Sequence, residues 1–336
     1  MEEDLRAKAE LISGGAVRIP DGYRVPVRIS RSTAGPGAGK SSVVFSFGRY
    51  RVKKEIVREG GDFFFDPDSA SISKDGKIIA TDVRMIPVAY HCPEQAFFNL
   101  DQRCRFRCAY CGSPLLDRVA AKEMDGPKIA EMIEQSKEPV YAISITSGVI
   151  GTVGETVDRM AECVGYLRER FPDMPIGVEP YIDDVNQIDR LKAAGADEIK
   201  INTECSLGID AKRICPDMDR DSIFDMLAHA VDVFGRGNVY SNIIMGLGET
   251  DDDLERTMRR LCGIGVAPGL RSLRVTALNA PKLKELGITD GPSPDRTLRM
   301  SMKQTEIMKE YGLEVKAETM CYRCTCCDIT PFMDIE

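Results

Sequence analysis

The sequence predicts an α/β protein with a parallel-sheet domain, a small β-rich module before it and a cysteine-rich tail after it. Three observations carry this. From about residue 94, short apolar strands alternate with amphipathic helices, the pattern of βα units crossing right-handedly around a parallel sheet. Residues 22–87 instead run in short, alternating β-branched segments. Residues 316–336 hold Cys321, Cys324, Cys326 and Cys327 within CYRCTCC. The expected divisions are therefore 1–90, 91–315 and 316–336.

Residues 2–13 read as a helix stopped at Gly14-Gly15. RVPVRI, SVVFSF, YRVKKEIV, DFFFD and KIIATDVRMI follow as strand segments. Asp75-Gly76 marks a hairpin between SASISK and KIIATD, because a type I′ turn needs positive φ. The parallel strands are expected at QAFFNL (95–100), YAISI (141–145), MPIGVE (174–179), EIKIN (198–202), VYSNIIM (239–245) and SLRVTA (272–277). Between them, 153–170 places Val157, Met160, Val164 and Leu167 on one helical face, and 251–262 does the same with Leu254, Met258 and Leu261. Asp125 before Gly126-Pro127, and Gly195, Gly235 and Gly312, punctuate helix starts and ends. A last helix at about 295–311 runs from the mouth of the sheet (the C-terminal strand ends) to its base. LEVKAET then reads as an extended return that delivers the tail to the mouth.

A hydrophobic content of 43% and a charged content of 29% are those of a globular chain able to bury a full core. The net charge of −8 argues against a nucleic-acid backbone or an anionic membrane as main partner. No apolar run approaches membrane length, and MEEDLRAKAE does not read as a signal peptide. Twelve cysteines without an export signal imply a reducing, cytoplasmic setting, where clustered thiols bind metal more often than they form disulfides. His91 and His229 are the only histidines, so a multi-histidine metal centre is excluded.

CRFRCAYC sets Cys104, Cys108 and Cys111 at C-x3-C-x2-C, with Tyr110 before the last thiol. Three thiolates can hold three irons of a 4Fe–4S cluster and leave the fourth open. The alternative is zinc, which takes four ligands, usually in paired C-x2-C form; here there are three, with no nearby histidine. With Tyr110, this spacing resembles the signature of the radical SAM superfamily. The resemblance implies an open six-stranded partial (β/α)6 barrel, a SAM-binding 4Fe–4S cluster and S-adenosylmethionine as cofactor. Six βα units agree with that count. Catalytic groups of such barrels sit at the C-terminal strand ends, and the three cysteines follow the first strand.

Other strand ends offer cofactor contacts. Thr146-Ser147-Gly148 resembles the family's glycine-rich second-strand motif, which lets an amino-acid moiety approach the backbone; an ordinary turn is equally consistent. Asn202 and Glu204 resemble the asparagine-x-acidic motif of biotin and lipoyl synthases, which implies hydrogen bonds to the ribose hydroxyls. SNIIMGLGETDDDL resembles the same branch, with Gly246 and Gly248 permitting close approach to adenine or methionine. Glu249 and Thr250 read better as the start of the next helix, with Thr250 and Asp253 as a capping box. Glu179 and Arg213 are further candidates, the latter otherwise a surface arginine.

The tail cysteines read as ligands of a second iron–sulfur cluster, with a zinc knuckle or a redox-active dithiol as alternatives. Cys205 is a candidate further ligand, Cys92 lies before strand one at the wrong end, and Cys163, Cys215 and Cys262 read as core. AGPGAGKS (34–41) fits a permissive P-loop, but the strand-like SVVFSFGRYRV follows it where a helix should cradle phosphate. The resemblance over about 94–320 implies hydrogen abstraction from an unactivated carbon, with sulfur inserted from the auxiliary cluster. Two departures count against either standard synthase: Tyr240 stands where biotin synthase has a cysteine, and ahead of the barrel only Cys92 is available. A divergent form such as an archaeal two-component lipoyl synthase, with a partner subunit, fits these departures. Cofactor maturation or methylation without sulfur insertion, and a non-catalytic iron–sulfur carrier, are the alternatives. The reading also calls for a reductant such as ferredoxin or flavodoxin and a small or carrier-bound substrate.

Overall fold

A computed structural model describes residues 2–30, 40–115, 123–314 and 318–336. The N-terminal part is α1 (Glu2–Ser13) and seven strands: β1 (Val17–Arg18), β2 (Ser42–Phe47), β3 (Tyr50–Val57), β4 (Phe63–Asp66), β5 (Ser71–Lys74), β6 (Lys77–Ala80) and β7 (Arg84–Ile86). They form one sheet in the order β6-β5-β4-β1-β3-β2-β7. The β5–β6 hairpin turns at Asp75 and Gly76, both with positive φ, as the sequence predicts. RVPVRI, in contrast, is not a strand; only Ser30 after it bridges to Ser42. Pro26 sits mid-segment and cannot donate to a ladder. Most of the AGPGAGKS segment lies outside the described residues.

A second seven-stranded sheet follows, ordered β14-β13-β12-β11-β10-β9-β8. Its strands are β8 (His91–Cys92), β9 (Gln95–Asn99), β10 (Ala142–Thr146), β11 (Ile176–Glu179), β12 (Glu198–Lys200), β13 (Val239–Met245) and β14 (Ala267–Ser272). β9 to β14 are all parallel, and β8 is an antiparallel edge on β9. The helices are α2 (Gly126–Glu134), α3 (Val153–Arg170), α4 (Val185–Ala193), α5 (Ala211–Ile214), α6 (Arg220–Phe234), α7 (Asp251–Gly263), α8 (Ala280–Glu285), α9 (Pro294–Glu310) and α10 (Met320–Cys324). Asp125 caps α2, and Thr250 with Asp253 forms the capping box of α7. Val157, Met160, Val164 and Leu167 of α3 are all fully buried against the sheet. The curled sheet is the half-barrel expected. One strand is displaced: the sixth is 267–272, not 272–277. Pro268-Gly269 hid it from a propensity reading, yet an edge strand accommodates a proline.

Side chains alternate across a strand, so the lumen face can be read from the register. Ser144, Gly177 and Glu198 lie side by side on it near the base, and Thr146 and Glu179 pair one layer higher. Lys200 pairs with Tyr240 and Asn242 with Gly269 on the same face, which Arg271 shares. The tail enters this lumen from below. The backbone N–H groups of Glu318 and Thr319 donate to buried Glu198, Met320 N–H donates to Ser144, and Gln95 donates to the Met320 carbonyl at 2.9 Å. Gly177 has no side chain because a Cβ there would lie 2.9 Å from Thr319 Cβ. The expected delivery of the tail to the mouth is therefore corrected. The tail plugs the base at 318–322 and then rises along the open side of the half-barrel. Asp328 accepts from Ser272 N–H, at the upper end of β14, at 3.3 Å. Long-range pairing sets this path: Glu198 is a buried carboxylate that needs donors, and the tail backbone supplies them.

Candidate metal centre

Cys104, Cys108 and Cys111 lie on the loop leaving β9, each partly exposed at the mouth. The loop is pinned on both flanks. Arg105 N–H donates to Val149 O at 2.7 Å, and Ala109 N–H donates to Ile214 O at 2.8 Å. Asp101, almost fully buried, binds the Arg103 guanidinium, and Arg107 pairs with Asp217 at 2.8 Å. Burial pushes the Cys111 thiol up. Gly148 N–H reaches Asp101 O at 2.7 Å, and its missing side chain leaves room for Arg103, whose carbonyl carbon would lie 3.0 Å from a Cβ. Gly148 thus shapes the thiol loop itself. The donor set fits a three-thiolate cluster: three partly exposed soft ligands on one backbone-anchored loop, with no histidine or fourth thiol in the motif.

The other predicted residues divide into two groups. Tyr110, Glu179, Asn202 and Glu204 come together. Asn202 donates to Glu179 at 2.8 Å and accepts from Asn242 N–H at 3.1 Å, while Lys200 pairs with the second Glu179 oxygen at 2.8 Å. Glu204, at positive φ, reaches both Tyr110 and Asn202. Burial, then Glu179, pushes its carboxyl up to about 7. Gly246 and Gly248 also have positive φ, but their loop is closed by Glu249, whose two oxygens accept from Gly246 and Leu247 N–H at 2.7 and 2.8 Å. Arg296 pairs with the same carboxylate at 3.0 Å. Arg213 is exposed on α5.

Several constellations escaped the sequence reading. Cys215 is buried in the core as expected, and there it also neighbours Cys108 and Cys205, so Cys205 belongs beside the first thiol loop rather than with the tail. Lys200 donates to Cys321 at 3.6 Å inside the lumen. Burial opposes the Lys200 charge, but Cys321 and Glu179 outweigh it and raise its pKa. Arg271 pairs with Asp328 above the same thiol. These groups border a small pocket of about 30 Å³, room for a water molecule or two, with Tyr240, Asn242 and Tyr322. Alternation along β12 and β14 would have flagged Lys200 and Arg271 as charges inside a barrel, had β14 been placed correctly.

The other tail thiols face away from the lumen. Cys324 and Cys326 pack with Cys92, Val44 and Val88 under the N-terminal sheet, and Lys53 N–H holds the Cys326 carbonyl at 2.8 Å. Among the described residues, no three histidine, cysteine, aspartate or glutamate side chains encircle a single ion-sized point.

Residues 99–261 match the radical SAM superfamily. No curated protein matches the chain. Among solved structures, it is similar to methylornithine synthase (PylB) at 14% identity, covering 66% of this chain and 63% of that one with a TM-score of 0.53. It is also similar to the FeFe-hydrogenase maturase HydG from Carboxydothermus hydrogenoformans at 14% identity (64% and 51% covered, TM-score 0.49). Coproporphyrinogen III oxidase (HemN) from Escherichia coli is a third, at 15% identity (67% and 54% covered, TM-score 0.46). The chain thus spans less than two thirds of the length of each. Residues 99–261, which carry the thiol loop and most of the half-barrel, are thus a radical SAM domain.

Proposed function

We propose that this protein reductively cleaves S-adenosylmethionine and uses the resulting 5′-deoxyadenosyl radical to abstract hydrogen from an unactivated carbon, with sulfur insertion from a tail-held cluster as the outcome. A 4Fe–4S cluster on Cys104, Cys108 and Cys111 would supply the electron for that cleavage. The observation that carries the reading is the convergence of those thiols with Tyr110, Asn202 and Glu204 on one rim of the lumen. Glu204 takes the role of ribose acceptor there, because a carboxylate accepts from both hydroxyls of a vicinal diol. Glu179 holds Asn202 in place through one oxygen and pairs with Lys200 through the other. Lys200, paired with Glu179, and Arg271, paired with Asp328, line a small pocket with Cys321. A ferredoxin or flavodoxin would deliver the electron, and a carrier protein or partner subunit would present the substrate.

Sulfur insertion is supported by the four thiols gathered in the tail, one of which, Cys321, faces the lumen. It is tested by reconstituting the protein with labelled sulfide and following label into product. Label transfer with loss of tail iron is expected. Product without label, or tail iron intact after many turnovers, contradicts insertion and favours maturation or methylation chemistry.

A further inference from the structure

Cys92 is the thiol that the sequence placed at the wrong end. In the folded chain the tail passes that same end. β8 turns back on β9 through Pro93-Glu94, which sets Cys92 beside the first residue of β9. α10 leaves the base of the lumen directly beneath, and Cys324 and Cys326 pack on Cys92 with exposures of 4%, 0% and 1% respectively. Cys324 is the hub: its thiol contacts those of Cys92, Cys326 and Cys327. Cys321 lies on the other side of α10, held by Lys200 in the lumen.

The surroundings carry positive charge. Lys53, 1% exposed, reaches into the thiol group while donating to the His91 carbonyl at 2.8 Å and to Ser30 at 3.2 Å. Arg274 donates to the Cys327 carbonyl at 2.7 Å. Burying cations is costly unless anionic charge lies nearby. A four-thiolate iron–sulfur cluster carries net negative charge, so it would complement these cations where four neutral thiols would not.

We infer that Cys92 completes, with Cys324, Cys326 and Cys327, the thiol set of a second iron–sulfur cluster lodged between the N-terminal sheet and the open side of the barrel, and that Cys321 stands outside that set. This rests on the reading that the tail holds a cluster at all. The site spans all three parts of the chain's order: a barrel-entry thiol, a tail and a covering sheet. Its position leaves Cys321 alone in the lumen, where it can meet substrate.

The test uses the full chain with Cys104, Cys108 and Cys111 changed to alanine, reconstituted anaerobically with iron and sulfide. About four irons are expected from the tail site. Adding Cys92→Ser, checked for an unchanged circular dichroism spectrum, should lose one to all of about four irons and change the Mössbauer spectrum. Adding Cys321→Ser should leave both unchanged. Iron loss in Cys321→Ser with retention in Cys92→Ser overturns the ligand assignment alone. No iron in the starting variant, while the wild type fills its first site, overturns the tail cluster and this inference together. Should Cys92→Ser not fold, Lys53→Met provides the second test. Removing the buried positive charge should shift the tail cluster's reduction potential to more negative values, and an unmoved potential overturns the placement.

Discussion

Gly148→Ala separates two accounts of a glycine at the mouth. If Gly148 exists to let S-adenosylmethionine approach, the variant should fold and bind iron normally and lose only cofactor affinity. The structure gives a different reason. A Cβ at this position would fall inside the contact distance of the Arg103 carbonyl oxygen, 3.0 Å from the carbonyl carbon and 3.1 Å from Asp101 O. These are backbone atoms of the loop that carries Cys104, and Gly148 N–H is bonded to Asp101 O at 2.7 Å. No flexible side chain can swing away, so the loop must move. Overpacking against fixed backbone costs on the order of 1–3 kcal/mol. For a chain of this size that corresponds to a fall of roughly 1–4 °C in Tm. The displaced loop should also hold its cluster less well, so iron retention after desalting should drop in Gly148→Ala and not in Ser147→Ala. Differential scanning calorimetry and iron counting read both effects. Unchanged Tm and iron content, with weakened S-adenosylmethionine binding alone, would refute the packing argument.

Other perturbations follow from named contacts. Glu198→Ala removes the acceptor for the Tyr240 hydroxyl and for Glu318 and Thr319 N–H, so the tail should detach and become protease-sensitive, at a cost of about 2–4 kcal/mol; an equally protected tail would contradict this. Lys8 and Asp334 form a buried pair at 2.7 Å, and Lys8→Met should cost about 3–5 kcal/mol by stranding the carboxylate, with Lys8→Met/Asp334→Asn recovering most of it. Denaturant titration of the single and double variants decides the point. Glu204 has its folded pKa raised to about 7, so its neutral form is favoured by folding and its ionisation costs stability as pH rises from the ordinary carboxylate range through about 7. Glu204→Gln in the cofactor-free protein should therefore raise Tm more at pH 8 than at pH 5; equal gains at both would contradict the burial argument.

Most of the half-barrel was readable because parallel strands buried on both faces are apolar runs, and VYSNIIM coincides with β13 residue for residue. The sixth strand was missed where Pro268-Gly269 breaks that pattern. RVPVRI misled in the opposite sense, since its alternation is real but Pro26 denies it a ladder. At the site, Asn202, Glu204 and Glu179 are readable from strand ends and Tyr110 from the cysteine motif, and the four do converge. The tail's course could not be read locally. It depends on a buried carboxylate 120 residues away from Glu318, which no spacing within CYRCTCC encodes. The meeting of Cys92 with Cys324 is non-local in the same way: a two-residue edge strand sets it, and only the folded sheet places that edge beside the tail.

The central claim is that the thiol loop after β9 powers reductive cleavage of S-adenosylmethionine. The most direct measurement is 5′-deoxyadenosine formation by the anaerobically reconstituted protein with dithionite, comparing wild type with the Cys104→Ala/Cys108→Ala/Cys111→Ala variant. The account predicts steady 5′-deoxyadenosine and methionine from the wild type and none above background from the variant, while its tail iron remains. Equal 5′-deoxyadenosine from both proteins, or none from a wild type with its first cluster filled, would contradict it.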